Sequence, residues 1–98
     1  MSGDAVTIAP HVYRVITEND RVRVLEARAK AGDKTEMHGH PALVAGAITD
    51  GTHRFTSPGS DPMEIELKAG QVMFMDAVEH ETEFFGPGEG KVILVELK

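Results

Sequence analysis

The chain has 98 residues, 41% hydrophobic and 27% charged, the make-up of one folded globular domain rather than of a disordered or fibrous chain. Lys and Arg number 10 against 16 Asp and Glu, and the formal charge of -6 opposes binding to phosphate backbones and anionic lipid surfaces. Cysteine is absent, which excludes disulfides, zinc-thiolate sites, iron-sulfur clusters and thiol nucleophiles, so any metal must be held by His and carboxylates.

In chain order, residues 1–10 carry neither a basic cluster nor a long apolar stretch, and no window approaches the ~20 apolar residues of a membrane span. No membrane segment and a cytoplasmic location are the expectations. Short runs with period-2 alternation follow at 12–17, 22–29, 35–40, 43–49, 52–56, 63–67, 72–76, 80–85 and 92–97. Between them lie clusters of turn residues, among them Ala31-Gly-Asp33, Asp50-Gly51, Ala69-Gly70 and Gly86-Pro-Gly-Glu-Gly90. Connections this short favour antiparallel neighbours, and strands this frequent point to an all-β sandwich or barrel, a single domain over 1–98, with almost no room for helix. The corners Lys30-Ala-Gly-Asp33 and Lys68-Ala-Gly-Gln71 echo one another, as the two halves of a double Greek key would.

Placement singles out three of the five histidines. His38 and His40, at i and i+2 of one run, project from the same strand face, where two neutral imidazoles can converge on one cation. A third ligand from a neighbouring strand would complete a facial site, and His80 is the candidate. The same pair also fits two hydrogen-bonded histidines with no metal, and Glu79, Glu81 and Glu83 read as a solvated outer face.

The surrounding framework separates these readings. Gly32, then five residues, then His38-Gly-His-Pro41, with Gly51 eleven residues beyond His40, resembles the first conserved motif of the cupin superfamily. Gly70 followed by Asp76-Ala-Val-Glu-His80 resembles the second motif, shortened by one residue, and the best match is to small single-domain cupins with a His-x-His-Pro sequence. The resemblance implies a double-stranded β-helix, or jelly-roll β-barrel, with His38, His40 and His80 holding a divalent transition metal: Fe, Mn, Ni, Co or Zn. It also implies a homodimer and a metal-dependent enzyme, dioxygenase-like or lyase/isomerase-like, acting on a small anionic or chelating, oxygen-bearing molecule. The chain departs from the pattern at Val44, where these proteins place a carboxylate ligand, and at Asp76, Val78 and Phe84 in the second motif. Some cupins work with three histidines alone. A non-catalytic barrel that binds a small ligand, with a vestigial metal site, is the alternative.

Two further residues are candidate catalytic groups. Glu36 shares the face of His38 if the run is regular there, and could serve as substitute ligand, imidazole orienter or general base, or be a solvated residue at the barrel mouth. His53 alternates with Phe55 on an apolar face and could contact substrate or supply a proton, or be a hydrogen-bonded core residue. Met73 and Met75 share a face as adaptable core filling. Asp76 could orient a histidine or cap a turn, and His11 reads as a surface residue.

Overall fold

The computed structural model describes residues 3–98. Among the described residues there are nine strands: β1 (Tyr13–Glu18), β2 (Val22–Lys30), β3 (His38–His40), β4 (Leu43–Ala47), β5 (Gly51–Thr56), β6 (Met63–Leu67), β7 (Val72–Met75), β8 (Val78–Gly86) and β9 (Glu89–Leu97). They form a five-stranded sheet in the order β1-β2-β9-β4-β7 and a four-stranded sheet in the order β3-β8-β5-β6, with every strand pair antiparallel. This is the all-β architecture expected from the alternation of short strands and turns, and the jelly-roll barrel that the resemblance implies.

The two echoing corners share one geometry. Asp33 and Gln71 donate their main-chain N–H to the carbonyls of Lys30 and Lys68, both at 2.9 Å. The same two side chains accept from the Lys30 and Lys68 N–H groups at 2.8 and 3.1 Å. Gly32 and Gly70 sit at φ 94° and 88°, which a residue with a Cβ rarely adopts.

Local differences from the sequence expectations have physical causes. A short helix, α1 (Ala5–Ile8), lies before β1 and is capped by the Asp4 carboxylate, which accepts from the Val6 N–H at 3.1 Å. The run expected at 35–40 is strand only at His38–His40, because residues 32–35 follow β8 through main-chain bonds to Thr82 and Phe84 and the chain then bends. β8 begins earlier than expected because Val78 and Glu79 pair with His40 and Gly39 of β3, and β9 because residues 89–91 pair with the end of β2.

The core lies between the sheets. Across the five-stranded sheet an inward row joins Leu25, Leu94, Ala45 and Met73 on four neighbouring strands. At one end the Phe84 ring lies against the backbones of Gly51 and Gly90, where an added Cβ would come within 2.5 Å of the ring. The opposite end holds the histidines.

Candidate metal centre

The register of the four-stranded sheet assembles the site. His38 of β3 stands directly opposite His80 of β8, and His40 lies one pleat repeat further along β3 on the same face. All three are buried, with 0%, 4% and 4% of their surface exposed. Their rings meet edge to face with centroids 4.8 to 5.2 Å apart, and one ligand atom from each lies within 4.8 Å of the others.

The hydrogen bonds establish which nitrogen faces the shared space. His38 Nδ1 donates to the Glu36 main-chain carbonyl at 2.8 Å, and His40 Nδ1 donates to Glu96 Oε2 at 2.7 Å. The Nε2 atoms of His38, His40 and His80 are all buried without a hydrogen-bond partner. A buried imidazole nitrogen left unpaired costs desolvation energy without return, and three such atoms grouped this closely fit a cation as their common partner. Burial pushes the His80 imidazole down to about 3, with the neighbouring His38 and His40 adding to the effect, and burial also lowers His38. Neutral imidazoles are the form that binds metal.

Other expected residues fall differently. The side chain of Glu36 is exposed, because the bend at 35–37 breaks the alternation that would have turned it towards His38, and only its carbonyl serves the site. Val44 was expected at the position of the missing carboxylate ligand, but it points to the outer face of its sheet; Ala45 is the inward neighbour. Either way the position is apolar. His53 lines the cavity, half-buried, stacked on Phe55 at 6.0 Å and packed on Phe84 at 4.9 Å. Phe55 stacks in turn on His80 at 5.2 Å, so His53 shares the cavity without joining the three histidines. Burial lowers its basicity. Met73 and Met75 line the same cavity. Asp76 follows β7 on the exposed side, and His11 is exposed with Nε2 against the Lys34 carbonyl at 2.8 Å.

Two contributors went unseen in the sequence. Tyr13, 5% exposed, sets its ring 5.1 Å from His38 and 5.4 Å from His40, with its hydroxyl directed to Thr82 and held protonated by burial. Glu96, 2% exposed, stands behind His40. Residues 92, 94 and 96 share one strand face, so a carboxylate ending an inward apolar row was the available signal. The cavity amounts to about 70 Å³, bounded mostly by apolar side chains, with His40, His53 and His80 among the polar ones. It suits a molecule of few heavy atoms.

No family model and no curated protein matches the sequence. Solved structures do. The chain is similar to a cupin domain from Bordetella pertussis Tohama I, at 26% identity and a TM-score of 0.81 over 89% of this chain and 92% of that one. A conserved protein with a double-stranded β-helix domain from Klebsiella pneumoniae subsp. pneumoniae MGH 78578 matches at 20% identity and a TM-score of 0.69, over 88% and 75% of the two chains. Fe(II)-HppE with an alternative substrate matches at 18% identity and a TM-score of 0.65, over 87% of this chain and 48% of that one, a likeness of fold. Among the described residues, no helix is long and apolar enough to cross a membrane.

Proposed function

From the premise that this chain is a small cupin, we propose that it is a mononuclear metalloenzyme acting on a small, oxygen-bearing, chelating molecule. The observation that carries this reading is the close grouping of three buried, unpartnered Nε2 atoms. Three imidazoles suit Fe, Mn, Ni, Co or Zn rather than Mg or Ca, and three protein donors leave positions for substrate oxygens. A divalent transition ion held there would supply Lewis acidity to a bound oxyanion and, if redox-active, one-electron chemistry with dioxygen. The protein's own residues would do the rest. Apolar walls exclude water, the Tyr13 ring braces His38 and His40, and neutral His53 faces the cavity, able to accept or return a proton.

The test is elemental analysis of untagged protein beside His38→Ala and His80→Ala, all grown with supplemented metal. Near-stoichiometric metal in the wild type and its loss in both variants is expected, followed by an O2-uptake screen with β-dicarbonyls and small acids. A wild type that stays metal-free after reconstitution would overturn the enzyme. A non-catalytic ligand-binding barrel is then the reading left, and the apolar pair Val44 and Ala45 favours it. We also propose that a second copy covers the apolar part of the outer face of the five-stranded sheet, around β4 and β7, where Val72 is 66% and Phe74 60% exposed.

A further inference from the structure

Behind His40 lies a buried carboxylate that the three-histidine set does not use. Glu96 is the register partner of Arg23 across β2 and β9, on the inward face. Its two oxygens are divided between two donors. Oε1 accepts from Arg23 Nε at 2.8 Å and lies 2.6 Å from Arg23 Nη2, while Oε2 accepts from His40 Nδ1 at 2.7 Å. Arg23 is held in turn by Asp4, whose carboxylate also caps α1. The Gly3 carbonyl accepts from the Gly39 N–H at 2.8 Å, between the two histidines of β3. A continuous polar chain thus runs from the segment before α1 through β2 and β9 to one histidine of the site.

Resting on the metal reading above, we propose that Glu96 is a positioning residue: it keeps the proton of His40 on Nδ1, so that the Nε2 lone pair faces the shared space, and it places one negative charge next to that ligand. Val44 and Ala45 leave the site without a coordinating carboxylate, and Glu96 returns that charge at one remove. Removing such a carboxylate–histidine contact typically weakens metal binding by about 10–100-fold. The carboxylate, rather than its amide, is what this position requires. Both neighbours are donors, and only a group with acceptors on both sides satisfies both. A Gln offers one acceptor oxygen and one NH2 group, which only donates. Whichever way it turns, the N–H faces either the Arg23 guanidinium or His40, and facing His40 it selects the Nε2–H tautomer, which has no lone pair for a cation.

Two measurements test this. In metal-free wild type labelled with ¹⁵N-histidine, long-range ¹H–¹⁵N spectra are expected to show His40 as the Nδ1–H tautomer at neutral pH. Finding it as Nε2–H would overturn the proposal without any variant having to fold. Titration with Co²⁺ alone is then expected to show Glu96→Gln binding about 10–100-fold more weakly than wild type, with Glu96→Asp, which keeps two acceptors, losing less. Equal affinity for wild type and Glu96→Gln would overturn it. A wild type that shows the Nδ1–H tautomer but binds no Co²⁺ sinks the metal reading instead, so the two failures are distinguishable.

Discussion

Two adjacent rows of the five-stranded sheet, one on each face, invert the usual distribution of polarity. One inward row reads Arg23, Glu96, Leu43, Met75 across β2, β9, β4 and β7, and its first two members are charged. The adjacent outward row on the same four strands reads Val24, Val95, Val44, Phe74, with no polar side chain at all. Each row offsets by one residue from the other, so period-2 alternation alone sends the charge inward and the apolar surface outward. A pair of charges in a core weakens the fold unless its hydrogen bonds are complete, and an uninterrupted apolar row on a surface favours association. The difference teaches that neither row is explained by the stability of one chain alone: the inner row reaches His40 through Glu96, and the outer row leaves Phe74 60% exposed.

The largest effect should come from breaking the inner row. Arg23→Met leaves Glu96 buried with one oxygen unpaired, and urea denaturation should register a loss of about 3–5 kcal/mol. Arg23→Met combined with Glu96→Leu removes both charges and should recover part of that loss: Asp4, left without Arg23, is accessible enough to be hydrated, while the buried His40 Nδ1–H loses its acceptor and keeps a penalty of about 1–3 kcal/mol. The same double variant should stay weak in Co²⁺ binding. Stability that follows the charge balance while affinity follows Glu96 alone would separate the two roles; a double variant no more stable than Arg23→Met would show that the charges hold the fold itself.

Next in size is a comparison of neighbours on β9. Leu94 is buried in the inward row beside Leu25 and Ala45, and Leu94→Ala should cost about 2–5 kcal/mol through lost burial and the cavity left behind. Val95 is only partly buried on the outer face, and Val95→Ala should cost well under half as much in dilute protein. Raising the protein concentration should widen the Val95→Ala deficit if a second copy covers that face, since dimer stability depends on concentration. A deficit independent of concentration would leave the outer row without a partner.

Most of the fold was legible because each strand alternates and is bounded by turn residues, and the Lys-Ala-Gly corners matched in geometry as well as in sequence. Pairing was not. β3 finds β8, β9 lies between β2 and β4, and only register brings His80 opposite His38; these partners are far apart in the chain. The three histidines could be named because one pleat repeat places His38 and His40 together whatever their partner strand. Glu36 takes the solvated one of its two readings because alternation does not survive the bend at 35–37, and Val44 faces outward, since counting along a motif does not say which face a residue takes. Glu96 and Tyr13 escaped because each looks ordinary within its own run. The helix α1 is too short, at four residues, to show a helical period.

The smallest change in fold stability, with a large change in assembly, is expected at Phe74. It closes the outer row on the edge strand β7 and is 60% exposed, so Phe74→Glu removes little buried surface and should shift the stability of a single chain by no more than about 0.5 kcal/mol. If the row packs against its counterpart in a second copy, the same change buries a carboxylate in an apolar interface, in a protein already at -6. Light scattering at micromolar concentration should then give twice the chain mass for wild type and a single chain for the variant, at nearly equal melting temperatures. A wild type already monomeric would remove the dimer. Met73, one residue away, faces the cavity, and a glutamate there should instead unfold the chain; only their opposite faces distinguish the two positions.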